Sequence, residues 1–131
     1  MKNKIYYLSH PYTNNPEESF RFAVKWFKIL REKNMNVFSP ILHSHPFHKI
    51  YCKEEGISEE EANNRMKYVE LDLAFMEAMK DNLILLMSYD AFDVKDGVIH
   101  WKSEGCKREY EKAKELGIPI DLAFEHFLFL I

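Results

Sequence analysis

Glycine is scarce in this 131-residue chain, which has only four. A Walker-type phosphate loop or a dinucleotide-binding GxGxxG turn needs glycines at close, fixed spacing, and neither motif occurs. A GxSxG nucleophile elbow is missing too. Cysteine is rarer still. Cys52 and Cys106 stand far apart, without metal-type spacing, and read as two free thiols in a reducing cytoplasm. Long hydrophobic runs are lacking. The most apolar segment, IPIDLAFEHFLFLI, is broken by Asp121, Glu125 and His126 and is too short to span a bilayer. The opening MKNKIYYLSHPY is interrupted by His10 and Pro11 before a signal peptide could form. Charge of one sign is also lacking. With 18 Lys and Arg against 21 Asp and Glu the net charge is −3, and the signs are interleaved. That leaves no electrostatic footprint for a nucleic acid and no reason to expect a membrane partner.

What is present is a normal globular balance, 47% apolar and 30% charged, with aromatics at 15%. It predicts one domain over residues 1–131, with its own core. Residues 4–8 (KIYYL) form a short apolar run before the turn Ser9-His10-Pro11 and read as a buried strand. Asn15-Pro16-Glu17-Glu18 supplies a cap, an N1 proline and first-turn acids. Phe20, Ala23, Val24, Phe27 and Leu30 then recur at helical spacing, so residues 16–33 read as an amphipathic helix. Residues 36–39 read as a strand ended by Pro40. The histidine-rich stretch 40–57 reads as irregular, with a short helix near 47–52. Ser58-Glu59-Glu60-Glu61 is a capping box opening a long helix, about 59–79, with Ala62, Met66, Val69, Leu73 and Met76 as its stripe.

Residues 82–88 (NLILLMS) are the clearest strand, apolar on both faces, which implies a parallel sheet covered on both sides. A loop over 89–102 follows, then a helix capped by Ser103 and stopped by Gly117. Residues 118–120 read as the last strand, with a docked helix after it. The alternation predicts an α/β, doubly wound, flavodoxin- or Rossmann-like sheet, mostly parallel, with four to five strands and helices on both faces. In such sheets the site lies beyond the carboxyl ends of the strands.

Three groups of residues could carry chemistry there. The first is Trp101 to Glu109. Ser103 opens a helix whose free N–H groups favour an anion, Gly105 allows close approach to the backbone, and Glu109 borders the apolar stripe of Cys106, Tyr110 and Ala113. The plain alternative is that Ser103 is only a cap and Glu109 only a helix acid. The second is Asp72, set among Leu71, Leu73 and Phe75, where an apolar setting raises a carboxyl pKa; a partly exposed, hydrogen-bonded aspartate is the alternative. The third is His43, His45 and His48. These suggest a metal, but without Asp, Glu or Cys at ligand spacing they read better as a polar substrate-contacting or structural segment.

Taken together, three pieces resemble the nucleoside 2-deoxyribosyltransferase superfamily, which includes nucleoside 5′-monophosphate N-glycosidases. They are Tyr6-Tyr7-Leu8-Ser9-His10-Pro11-Tyr12, then Ser39-Pro40-Ile41-Leu42-His43-Ser44-His45-Pro46, then Trp101, Ser103, Gly105 and Glu109. The pattern S-P-I-x-H-S-H-P is the most specific, and the likeness spans about residues 4–120. The resemblance implies that Glu109 attacks C1′ of the sugar, that Asp72 helps protonate the base, and that Tyr6 orients the glutamate. Ser103, six residues before the glutamate, implies a 5′-phosphorylated substrate. Ser9, His10, Pro11, Tyr12, His43, His45, Trp101, Ser103 and Gly105 are the expected substrate contacts, and Tyr6, Tyr12 and Phe47 are either base-stacking or core aromatics.

The chain departs from the pattern at Ser9-His10, where many members have Gly. It also departs in the 89–102 loop, with Asp90, Asp93 and Asp96, read as a lid or a solvated insertion. The implied chemistry needs no cofactor, ends in hydrolysis or in transfer to another base, and is expected in a cytoplasmic homodimer or larger assembly. Two other readings stand beside it. One is a non-catalytic nucleotide-binding module; the other is a metal-dependent hydrolase built on the three histidines.

Overall fold

A computed structural model describes residues 4–12 and 15–128. A four-stranded parallel sheet organises it, in the order β2-β1-β3-β6. The strands are β1 (Ile5–Ser9), β2 (Val37–Phe38), β3 (Leu83–Met87) and β6 (Ile120–Leu122). The helices are α1 (Pro16–Glu32), α2 (Pro40–Glu55), α3 (Glu59–Met66), α4 (Tyr68–Met79), α5 (Glu104–Leu116) and α6 (Phe124–Leu128). An antiparallel hairpin of β4 (Phe92–Lys95) and β5 (Val98–Trp101) stands beside the sheet.

Strand alternation divides the core in two. Tyr7, Leu83, Leu85 and Met87 point to one face and pack with Met76, Cys106 and Ala113 from α4 and α5. Leu8 and Leu86 point to the other and pack with Trp26 and Leu30 of α1 and Phe124 of α6. Both faces are therefore covered, as the apolar run of β3 predicts, and the fold is the expected doubly wound α/β arrangement.

The caps behave as expected. Asn15, Ser58 and Ser103 accept hydrogen bonds from the N–H groups of Glu18, Glu61 and Cys106, at 3.2, 3.1 and 3.2 Å. Gly117 closes α5 at φ 73°.

Four expectations are corrected. The stretch after Pro40 is a full 16-residue helix, α2. Ser39 caps it through the N–H of Leu42 at 3.1 Å, Pro40 sits in its first turn and Gly56 ends it at φ 63°. Pro40 thus opens a helix where it was expected only to end a strand. Its inward positions Ile41, His45 and His48 follow helical spacing, but two are polar, so no apolar period announces it. The long helix over 59–79 is two helices, because Lys67 turns left-handed at φ 50° between α3 and α4. The 89–102 loop is the β4–β5 hairpin, turned at Asp96-Gly97 with φ 54° and 75°, as a tight hairpin requires. The last strand begins at Ile120; Ile118 is instead buried at the end of α5, its N–H donating to Ala113 O at 2.9 Å.

Candidate active site

The carboxyl ends of β1 and β3 lie side by side, with Ser9 in register with Met87. Helix α5 crosses above them with Cys106, Glu109 and Ala113 turned inward. This brings Glu109 down onto β1, where it is only 7% exposed. Ser9 Oγ donates to Glu109 Oε1 at 2.6 Å, and the Tyr7 hydroxyl donates to Oε2. Burial pushes the Glu109 pKa up, and the two hydroxyl donors pull against it by stabilising the charge. Cys106 Sγ lies 3.6 Å from Ser9 Oγ, and burial pushes its thiol up to about 12. Ser9 has one proton and spends it on the carboxylate, so the S–H of Cys106 is the donor in that contact.

Asp72 enters from α4. Burial first, and then the charge of Glu109, push it up to about 8. Glu109 has two donors supporting its ionised form, while Asp72 has burial and a like charge opposing its own. Asp72, pushed up to about 8, keeps its proton at neutral pH, while on Glu109 burial raises the pKa and the two hydroxyl donors lower it.

These groups open into a cavity of about 720 Å³, a size suited to a small ligand. The end of β1, the inner face of α2, the α3–α4 junction and the first turns of α5 wall it in. Lys67, Lys102 and Arg108 lie along its rim; Arg108 is bonded to Glu70 at 2.8 Å and Lys102 sits 3.5 Å from Asp93.

Of the residues expected at the site, Ser9, His10, Tyr12, Asp72, Ser103, Gly105 and Glu109 all line this cavity. Tyr6 does not reach Glu109. It lies on the opposite face of β1, half-buried against the Leu8–Trp26 cluster, because adjacent strand residues point to opposite faces. Tyr7, on the inner face, makes the contact with Glu109 instead. Trp101 packs between Phe92 and Tyr110, at ring separations of 5.8 and 4.9 Å, and supports the core away from the cavity lining. His43 is exposed near Phe38, and Phe47 is exposed and stacked on Tyr51. Pro11 borders a smaller neighbouring pocket of about 270 Å³. His45 is buried behind Tyr12 and touches ligand space only through it.

His10 is buried against Phe22, its rings 4.5 Å apart, and burial lowers its pKa to about 4 against a raising backbone hydrogen bond at Pro11. The hairpin contributes nothing to the lining until Lys102, which leaves the lid expectation without support. Among the described residues no three His, Cys, Asp or Glu side chains cluster as metal ligands.

Sequence reasoning missed Ser44, Asn63, Lys67 and Tyr68 as wall residues, and it missed Tyr7 as the buried partner of Glu109. Helical spacing held part of the signal: Ile41, Ser44 and His48 share one face of α2, and Tyr68 and Asp72 share one face of α4.

No family model matches the chain, and no similar curated protein or solved structure is found. Among the described residues no helix is long and apolar enough to cross a membrane.

Proposed function

We propose that this protein is an enzyme that cleaves the N-glycosidic bond of a nucleoside 5′-monophosphate or nucleoside, with Glu109 as nucleophile and Asp72 as the proton donor. One observation carries the reading. A buried glutamate held by two hydroxyl donors lines the same ligand-sized cavity as an aspartate whose proton is retained to about pH 8. The likeness of the Tyr6–Tyr12, Ser39–Pro46 and Trp101–Glu109 segments to the nucleoside 2-deoxyribosyltransferase superfamily supports the same roles.

As the bond from C1′ to the base nitrogen breaks, its electron pair leaves with the base and positive charge builds on the sugar. An oxygen of Glu109 bonds to C1′, and Asp72 gives its proton to the departing base. Water or a second base then attacks C1′ and releases Glu109, while Asp72 takes a proton back. Water makes the enzyme a hydrolase and a second base makes it a transferase. Ser103 and the free N–H groups of the first turn of α5 border the cavity and favour a 5′-phosphate. A cytoplasmic setting agrees with the two free cysteines. A homodimer or larger assembly belongs to the same reading; exposed Phe47, Ile50 and Leu71 are candidates for its contact face.

The test is a chromatographic screen of all ribo- and deoxynucleoside 5′-monophosphates and free nucleosides, with and without an acceptor base, against wild type and Glu109→Ala. Free base should appear with wild type alone, and the rate should fall as pH rises through about 8, where Asp72 loses its proton. Asp72→Asn should lower kcat roughly 10²- to 10⁴-fold and remove that limb. No release from any compound, with binding retained, would turn the reading to a nucleotide-binding module.

A further inference from the structure

The β4–β5 hairpin has no task in the cavity, and among the described residues its outer edge is bare. It is a sheet of two strands, so β4 has a strand neighbour on one side alone. Asp93, Val94 and Lys95 are all exposed, Val94 by 59%. An unpaired strand edge is a template for another strand.

The ladder decides which backbone groups lie on that edge. In an antiparallel pair, residues that exchange hydrogen bonds alternate with residues that do not. Lys102 N–H donates to Ala91 O at 2.8 Å, so Ala91 and Lys102 are a bonded pair. By alternation along the register, Asp93 with His100 and Lys95 with Val98 are bonded too. The two-residue turn Asp96-Gly97 closes on Lys95 and Val98, in agreement. Phe92 and Val94 are the alternate positions, and their N–H and C=O groups point away from β5. Outside this ladder Val94 makes no backbone hydrogen bond among the described residues. The side chains alternate as well. Val94 and its cross-strand neighbour Ile99 share a face with Phe92 and Trp101, whereas Asp93 and Lys95 stand together on the other. On that face Lys102 of the same chain lies 3.5 Å from Asp93, and His100 is the cross-strand neighbour of Asp93.

We propose that β4 pairs with β4 of a second copy of this chain, antiparallel and about a two-fold axis at Val94, joining two hairpins into one four-stranded sheet. Charge selects the register. With the axis at Val94, Asp93 stands opposite Lys95 of the second copy, and Lys95 opposite its Asp93, so both cross-strand pairs attract. An axis at Asp93 or at Lys95 sets like charges opposite each other. The Val94 register also brings the outward N–H and C=O groups of both Val94 residues together, and they exchange two hydrogen bonds. Val94 and Ile99 of each copy then form one apolar strip across the join. The same patch meets itself, so assembly through this edge stops at two. A four-residue strand buries less than the roughly 1,200 Å² of a standard interface, so the dimer is weak, with a Kd of about a micromolar or above. This contact is separate from the exposed helical positions Phe47, Ile50 and Leu71 and does not depend on the catalytic reading.

The experiment is analytical ultracentrifugation of the full chain from micromolar to millimolar concentration, at low and high salt. A reversible dimer should form and should weaken as salt rises, because the paired charges are exposed. Asp93→Lys and Lys95→Asp each turn both cross-strand pairs repulsive and should each weaken the dimer about tenfold or more. Mixed together, the two variants should associate with each other, since two lysines then face two aspartates; a variant that had lost its fold would not. Hydrogen exchange gives a second reading. The Val94 amide should gain protection as wild-type concentration rises, while the Asp93 and Lys95 amides, already bonded within the hairpin, should not change. Four results would overturn the proposal: a chain that stays monomeric, a dimer that neither variant weakens, a mixture that fails to associate, or a dimer in which the Val94 amide gains no protection.

Discussion

The carboxylate of Glu109 is opposed by its own burial and supported by two hydroxyls, so each hydroxyl has a measurable share in its ionisation. Hydrogen bonds to charged groups contribute about 1.5–3 kcal/mol. Tyr7→Phe removes one of the two donors. The Glu109 pKa, already raised, should rise further, and the acid limb of the pH–rate profile should move to higher pH. A carboxyl whose folded pKa is raised contributes stability that is present at low pH and lost as pH rises through the folded value. The stability lost in Tyr7→Phe should therefore be larger at pH 8 than at pH 5 in urea titrations. Tyr6→Phe, on the other face of β1, should change neither quantity. If the two variants behave alike, the assignment of Tyr7 fails. The residue types at this site were legible in the sequence, since Ser9, Asp72, Ser103 and Glu109 all meet in one cavity. The choice between two adjacent tyrosines was not, because a strand turns neighbouring residues to opposite faces and a five-residue run, IYYLS, is apolar in either register.

The starts of α1, α3 and α5 and the end of α5 were read from the cap residues and the glycine that mark them, whereas the Ser39 cap and the Gly56 stop of α2 were not. Gly117 ends α5 at φ 73°, and a Cβ built there meets nothing within 4 Å. Gly117→Ala should therefore cost the left-handed backbone penalty alone, about 1–2 kcal/mol, seen as a Tm lower by roughly 3–10 °C. Gly117→Asn should lose less, because asparagine tolerates this conformation. An unchanged melting temperature in Gly117→Ala would contradict this account of the helix end. Lys67 adopts the same left-handed conformation between α3 and α4, but lysine carries no preference for it, and the apolar period runs on from Ala62 to Met76 as if unbroken. Helix α2 escaped notice for the converse reason. Its buried stripe contains His45 and His48, which satisfy their ring nitrogens against Tyr12, Glu17 and Tyr68, so burial there does not coincide with apolarity.

At the scale of the whole molecule, the sheet is a wall between two cores, and β3 contributes to both. Leu85 and Leu86 are adjacent, each no more than 2% exposed, and belong to different clusters. Leu85→Ala and Leu86→Ala should each cost about 2–5 kcal/mol, a large part of a net stability of about 5–15 kcal/mol. Denaturant midpoints would measure this, and a small effect from either one would mean that its face of the sheet is poorly covered. The sequence by itself determined the α/β class, the burial of β3 on both sides, the capped starts of α1, α3 and α5, and the acids that meet at the site. These depend on local periodicity and on capping chemistry, which act within a few residues. Only the tertiary structure decided which tyrosine meets Glu109, that the charge of Glu109 raises the pKa of Asp72, and that the α2 histidines His45 and His48 meet Tyr12 and Tyr68. Those outcomes depend on distances between groups as many as 102 residues apart in the chain, and such distances exist only once the strands have chosen their register.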